Sequence, residues 1–243
     1  MEEVIFTVKS NKKIAKDVYE MVLVGDTSGI TNYGQFVNLK IDGVFLRRPI
    51  SVCDFEKGKL LLIYKVVGEG TAILSGYVKG KTINVLTGLG NGYDLLVSGD
   101  NPLLIGGGVG VPPMFGLCKA LVKKGVKPTV ILGFNTKDEV FYEKEFKRLN
   151  VKVHVCTVDG TAGEKGFVTD VMEKLSYSYF YTCGPMPMFR AIEKVAKTDG
   201  EYSFEERMGC GFGACMGCSC KTLVGNKRIC VDGPVLKRGE IIW

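Results

Sequence analysis

Four cysteines toward the end of the chain constrain it more than any other feature. They run Cys210-Gly-Phe-Gly-Ala-Cys215-Met-Gly-Cys218 and then Cys230, a spacing of C-x4-C-x2-C-x11-C. Three thiolates in one short loop, with a fourth arriving from the next segment, suit a [2Fe–2S] cluster; the C-x4-C-x2-C…C run is the plant-type spacing. Gly211, Gly213 and Gly217 stand between these cysteines. Glycine tolerates positive φ, so the backbone can wrap closely and turn its N–H groups inward. A four-cysteine zinc site is the alternative, although such sites usually pair two C-x2-C knuckles. Cys220 competes with Cys230 for the fourth ligand position.

The rest of the chain must then supply electrons to a cluster or take them from it. Its 243 residues are 46% hydrophobic and 24% charged, a soluble globular balance with material for two modest domains and a small module. The net charge of +6 is spread along the sequence, which argues against a nucleic-acid-binding face. Nine cysteines would suggest disulfides in a secreted chain, but Met1-Glu-Glu-Val4 opens without a basic region or an apolar core segment. No apolar run approaches the ~20 residues of a membrane span. The expected compartment is the reducing cytoplasm, with cysteines serving metal or core. His154, the one histidine, lies in the alternating run Val151–Cys156 and reads as a strand residue.

Two grammars follow one another. Residues 1–98 read as short strands broken by glycine turns, with one short helix near Thr71–Val78, and this favours a small antiparallel barrel. From 99 to 200 strands alternate with helices: Pro102–Ile105, Thr129–Gly133, Val151–Val155 and Tyr179–Thr182 as strands, with helical runs between them. That pattern implies a Rossmann-like parallel sheet covered on both faces. The cluster module occupies 201–243.

Four further motifs carry chemistry. Arg47-Arg48-Pro49-Ile50-Ser51 offers a guanidinium fork for phosphate and a hydroxyl. Gly68-Glu-Gly70-Thr71 precedes the short helix and presents backbone N–H groups to an anion. Gly106-Gly107-Gly108-Val-Gly110-Val-Pro-Pro113 links a strand to a helix and approaches the dinucleotide fingerprint, with Pro113 where a third glycine would stand. Cys183-Gly184-Pro185 ends a later strand, at the edge where ligands of open α/β sheets bind.

The order R-P-x-S, G-x-G-x-x-P, C-G-P resembles the ferredoxin–NADP reductase superfamily of flavoproteins. With the cysteine module added, the chain resembles, essentially end to end, the electron-transfer subunits of class 1B dihydroorotate dehydrogenases. That resemblance implies FAD held by Arg48, Pro49, Ile50 and Ser51, with Ile63, Tyr64 and Lys65 along the flavin and Gly70 and Thr71 at its phosphates. It implies NAD(H) framed by Gly106, Gly107, Gly108, Gly110 and Pro113, with Cys183, Gly184 and Pro185 near the nicotinamide. It implies a [2Fe–2S] cluster on Cys210, Cys215, Cys218 and Cys230. The implied partner is an FMN-containing catalytic subunit converting dihydroorotate to orotate in pyrimidine biosynthesis, in a heterotetramer of two catalytic and two electron-transfer subunits. The segment Phe134–Asp138 lacks an arginine for a 2′-phosphate, which leans toward NAD, although Lys137 is present. Flavin/iron–sulfur subunits of sulfide dehydrogenase or of NADH-dependent ferredoxin:NADP oxidoreductase share the pattern. A zinc-stabilised regulatory module with a nucleotide on its glycine loop is the reading from a different class.

Overall fold

A computed structural model describes all 243 residues. Alternating apolar positions in the first third close into a six-stranded antiparallel barrel. Its strands are β1 (Glu2–Ala15), β2 (Val18–Val24), β3 (Phe36–Leu39), β4 (Arg48–Glu56) and β5 (Lys59–Lys65), then the short helix α1 (Glu69–Ser75) and β6 (Thr82–Leu89). They close in the order β1-β2-β5-β4-β3-β6. Inward residues such as Phe6, Met21, Val37, Leu39, Leu62 and Tyr64 fill the interior. Because the side-chain period in a strand is two, their neighbours point outward and become available to the other parts of the molecule.

The second unit runs β7 (Leu103–Gly107), α2 (Val111–Lys123), β8 (Thr129–Phe134), α3 (Glu143–Lys147), β9 (Lys152–Thr157), β10 (Glu164–Lys165), α4 (Val168–Met172), β11 (Phe180–Cys183) and α5 (Met186–Val195). It continues into β12 (Gly200–Ser203), the hairpin β13 (Ser219–Thr222) and β14 (Gly225–Arg228), and β15 (Val235–Lys237). The large sheet is ordered β10-β9-β8-β7-β11-β12-β15, parallel throughout except for β15 against β12. The 201–243 segment therefore contributes two strands to this sheet, with the cysteine loop between them. Four-residue β12 shows no alternation because all of it is buried, and Tyr202 packs edge-on against Phe180, Phe189 and Trp243.

One apolar cluster joins the barrel to the sheet's α2 side, where Cys53 and Ile63 meet Val111, Met114 and Leu117. Another joins the opposite side to the cysteine module, where Phe36 and Leu89 share a core with Cys218, Ile229 and Cys230. Asn91 fastens the module to the barrel's exit. Its main-chain N–H donates to Gly233 O (2.6 Å), and its amide spans Asp232 O, Val235 O and Val235 N. The buried Glu201 carboxylate accepts the Asp94 N–H at 3.0 Å, and burial pushes its pKa up to about 7. His154 sits in β9 with Nδ1 3.0 Å from Glu164 Oε1, a strand residue as expected. No helix is long and apolar enough to cross a membrane.

Candidate functional site

The two arginines of the barrel motif have separate roles. Arg47 is committed to the fold: it pairs with Glu3 at 2.7 Å and donates to Asn38 O at 3.3 Å. Arg48 bonds only main-chain carbonyls, Leu46 O at 2.6 Å and Arg47 O at 3.4 Å, so its charge has no carboxylate partner. It lies against the first turn of α1. A Cβ on Gly70 would stand 2.6 Å from Arg48 Nε, so glycine is what lets the guanidinium reach the helix start. Thr71 is occupied: its hydroxyl accepts the N–H groups of Val67 (3.0 Å) and Gly68 (3.2 Å) and donates to Gly68 O. It shapes the turn, which leaves a cation without a carboxylate partner beside the first turn of the helix.

Strand β4 pairs with β3 one for one: Phe36 with Ser51, Val37 with Ile50, Asn38 with Pro49 and Leu39 with Arg48. Directly opposed residues share a sheet face. Pro49 and Ser51 thus lie on the outer face with Phe36 and Asn38, while Ile50 packs toward the interior with Val37. On β5 the same alternation separates the three residues expected along a flavin. Ile63 faces the interdomain core. Tyr64 lies inside the barrel with its OH donating to Asn11 Oδ1 at 3.0 Å. Lys65 reaches into a cleft, where its Nζ meets Glu139 Oε1 at 3.1 Å.

That cleft, of about 580 Å³, lies at the carboxyl edge of β7, β8 and β11, where α/β sheets bind nucleotides. Gly107, Gly108, Gly184 and Pro185 line it. Gly106, Gly110 and Pro113 do not. A Cβ on Gly106 would stand 2.7 Å from Val111 Cα, and one on Gly110 only 2.1 Å from Cys183 O. These two glycines permit strand–helix packing, and Pro113 is buried within α2. Pro112 and Pro113 also remove two N–H groups from the start of α2, and the Val111 N–H is bonded to Gly108 O. The main chain that borders the cleft here is therefore the loop at Gly107–Val109, not the start of the helix. Cys183, expected beside the nicotinamide, does not line the cleft either: its side chain is buried in the core between the sheet and α2, and burial pushes its thiol pKa well up.

Several cleft residues carry no motif. Glu139 closes the end of β8, accepting the Asn135 N–H (3.1 Å) and side-chain amide (2.9 Å) as well as Lys65. Burial pushes its carboxyl up, but these donors outweigh it and hold the pKa below the usual range. Phe167, Met188 and Glu205 complete the walls. Glu205 opens to solvent through the cleft, yet the protein around it desolvates the carboxyl and raises its pKa. An acidic residue just past the β8 loop was the one available signal in the sequence.

In the module, the Cys215 and Phe212 N–H groups donate to Cys210 Sγ at 3.4 and 3.5 Å. Burial pushes the Cys210 thiol up, but the Cys215, Phe212 and Ala214 amides outweigh it and bring it down to about 6. The Cys230 N–H donates to Cys218 Sγ at 3.4 Å. Burial, then the hydrogen bond and charge of Cys218, push the Cys230 thiol up to about 12. The thiols thus fall into two interacting pairs, Cys210 with Cys215 and Cys218 with Cys230. No three donors surround one metal-ion position. A two-iron cluster places two protein ligands on each iron, so paired thiols turned toward inward amides fit it better than a single zinc. Cys220 lies on β13, in register with Lys227, and bonds none of the four.

Comparison with known proteins agrees with this geometry. Residues 205–242 match the family described as "Iron-sulfur cluster binding domain of dihydroorotate dehydrogenase B", and residues 104–194 match "Oxidoreductase NAD-binding domain". A Fusobacterium nucleatum protein named dihydroorotate dehydrogenase B (NAD(+)), electron transfer subunit, is 45% identical over 97% of this chain and 96% of its own length. A Bacillus pumilus protein of the same name is also 45% identical, over 99% and 98%. Among solved structures, one described as an NADH-dependent reduced ferredoxin-NADP oxidoreductase superposes with a TM-score of 0.88 at 31% identity, covering 98% of this chain and 90% of that one. Phthalate dioxygenase reductase shares the fold, with a TM-score of 0.67 at 18% identity over 85% and 70% of the two chains. With matches that span barrel, sheet and cysteine loop alike, the chain belongs to the family of dihydroorotate dehydrogenase B (NAD(+)) electron transfer subunits.

Proposed function

We propose that this chain moves electrons between NAD(H), FAD and a [2Fe–2S] cluster, and exchanges them with an FMN-containing catalytic subunit that converts dihydroorotate to orotate. The observation that carries this reading is the layout of three sites around one barrel. The cleft borders β5, the unpaired Arg48 opens β4, and the cysteine loop packs against β3. When bound, nicotinamide supplies a two-electron hydride, the cluster exchanges single electrons, and flavin chemistry converts one into the other.

The chain's own residues bind, orient and insulate. Arg48 and the start of α1 hold the FAD phosphates, and Pro49 and Ser51 present the outer face of β4. The Gly107–Val109 loop supplies amides for the nicotinamide nucleotide's pyrophosphate, and Gly184-Pro185 and Met188 wall the cleft beside it. The Glu139 carboxylate at the end of β8 suits a free ribose hydroxyl and repels a 2′-phosphate, consistent with NAD. Cys210, Cys215, Cys218 and Cys230 hold the cluster. Cys215 is exposed and flanked by Phe212 and Met216, 45% and 56% exposed, a face suited to the catalytic subunit in a heterotetramer of two subunits of each kind. Nine unpaired thiols suit the reducing cytoplasm.

Mixing the purified chain with that catalytic subunit, dihydroorotate and NAD tests the assignment. NAD reduction coupled to dihydroorotate oxidation is expected. Its absence, with NADH-dependent dye reduction intact, refutes the pyrimidine partner but not the cofactor chain. The 31%-identical oxidoreductase structure favours one second reading, in which the same cofactor path serves a ferredoxin:NADP oxidoreductase partner; electron delivery to that partner type alone would establish it.

A further inference from the structure

We infer that Asn38 is a positioning residue for electron transfer, tuning the cluster through the Cys210 peptide from the strand that borders the flavin site. The inference rests on the proposed cofactor layout and deepens it. Asn38 is buried, 1% exposed, in the middle of β3. Its Nδ2 donates to the main-chain oxygen of Cys210 at 3.0 Å, although the two residues lie 172 positions apart. The next residue, Gly211, has φ +79°, and a Cβ there would stand 2.5 Å from Asn38 Nδ2. Glycine at 211 is thus what admits the amide to the ligand's peptide.

The other end of the side chain shows what the amide does. Asn38 Oδ1 is buried with no donor. Its orientation is fixed, because the partner Cys210 O is an acceptor and only the NH2 group can face it. A buried polar group left half-satisfied costs stability, and an apolar side chain of similar shape would serve packing as well. The position therefore retains a donor at a cost, aimed at the first cluster cysteine. That donor polarises the Cys210–Gly211 peptide, which adjoins a thiol that would hold the cluster, and hydrogen bonding and local charge around the ligands would set its reduction potential. On the opposite side Asn38 is in register with Pro49 of the FAD segment, and Phe36 and Asn38 share an outer face with Pro49 and Ser51. One short strand thereby spans from the flavin segment to the cluster loop.

Replacing Asn38 removes a donor that stabilises the reduced, more negative cluster, so the variant cluster is harder to reduce. The experiment is a potentiometric titration of the cluster's electron paramagnetic resonance signal in N38L and N38V holoprotein, with FAD content measured alongside. The expected result is wild-type FAD content and a cluster whose electron-sharing equilibrium with the flavin shifts severalfold toward oxidised cluster, with tenfold, or 59 mV for one electron, as the upper range. An unshifted potential in either variant that retains its cluster overturns the inference. So does loss of the cluster from both variants with FAD retained, since Asn38 would then serve loop folding. If wild-type protein carried FAD but no paramagnetic iron–sulfur signal, the cofactor reading itself would fail instead.

Discussion

Gly110→Ala probes the cleft from a residue that does not line it. The new Cβ would stand 2.1 Å from Cys183 O, about 1.2 Å inside the ~3.3 Å approach of even a close C–H···O contact. Neither partner is a flexible side chain. Gly110 caps α2 directly after the loop, and Cys183 is the last residue of β11, in register with both Gly106 and Ser203. Relief therefore requires the start of α2 and the Gly107–Val109 loop to move away from β11 by roughly an ångström. Overpacking of this kind costs about 2–3 kcal/mol, which for a chain of this size lowers Tm by about 4–12 °C. A displacement of ~1 Å in a positioning loop reduces kcat/KM by up to about 100-fold. Stopped-flow reduction of the FAD by NADH, with dye reduction at varied NADH, reads the second effect. FAD and cluster absorbance should stay at wild-type levels, because Arg48 and the cysteine loop lie elsewhere. Gly108→Ala is the contrast: nothing lies within 4 Å of its Cβ, and φ is +53°, so it meets only about 1–2 kcal/mol of backbone strain. Equal and unchanged NADH kinetics in the two variants would refute the assignment of the loop to the nucleotide.

Replacing Cys230 with serine should abolish the cluster's visible and paramagnetic signals while leaving FAD bound, and Cys220→Ser should leave both; the reverse pattern would exchange the two thiols in the ligand set. Arg48→Ala removes the unpaired guanidinium and should weaken FAD binding by about 1.5–3 kcal/mol, roughly 10- to 150-fold in Kd, by titration of the apoprotein; Arg47→Ala, which breaks a pair with Glu3, should leave Kd near wild type. Glu201 has a folded pKa raised to about 7 from 4.5, so the native state holds its proton more tightly than the unfolded chain. Its contribution is fully present below pH 4.5 and is lost as pH rises through 7, a loss on the order of 3 kcal/mol. Glu201→Gln keeps an acceptor for the Asp94 N–H and should raise Tm at pH 8 while flattening this part of the stability profile, measured by thermal unfolding from pH 5 to 8.

The barrel and the sheet were legible because each repeats a period. Runs rich in β-branched residues, such as Val4–Val8 and Val18–Val24, fall between glycine turns, and strand–glycine–helix from 102 onward has one common structural solution. The cysteine spacing gave the cluster because ligand chemistry is local. What escaped was cooperative across distance. β12 and β15 are four and three residues long and largely buried, and they become strands only because β11 and Arg238–Glu193 (3.0 Å) hold them against the sheet. Two of the helical runs expected between the strands are single turns, Glu143–Lys147 and Val168–Met172. The glycine cluster announced a nucleotide loop, but sequence could not separate Gly107 and Gly108, which line the cleft, from Gly106 and Gly110, which let β7, α2 and β11 approach. Nor could it show that Tyr64 turns inward between two outward residues, or that Asn38 finds Cys210.

That division of labour explains why the cofactor sites are distributed as they are. The cleft is walled by loops at the sheet's carboxyl edge, the segments best able to shift as a nucleotide enters and leaves. The cluster has no such latitude, since electron transfer to and from the flavin depends on fixed separation. Its loop is accordingly fastened to the barrel at both ends, Cys210 through Asn38 and Asp232–Val235 through Asn91, and shares a buried core with Phe36 and Leu89. A slip of one residue in β3 would turn Phe36 and Asn38 into the barrel and Val37 and Leu39 out against the cysteine loop. The closed barrel forbids that slip, because Val37 and Leu39 are fully buried in its interior. The hydrophobic packing of the barrel thus fixes the registration of the electron path, while Phe212, Cys215 and Met216 on the far side of the loop stay exposed.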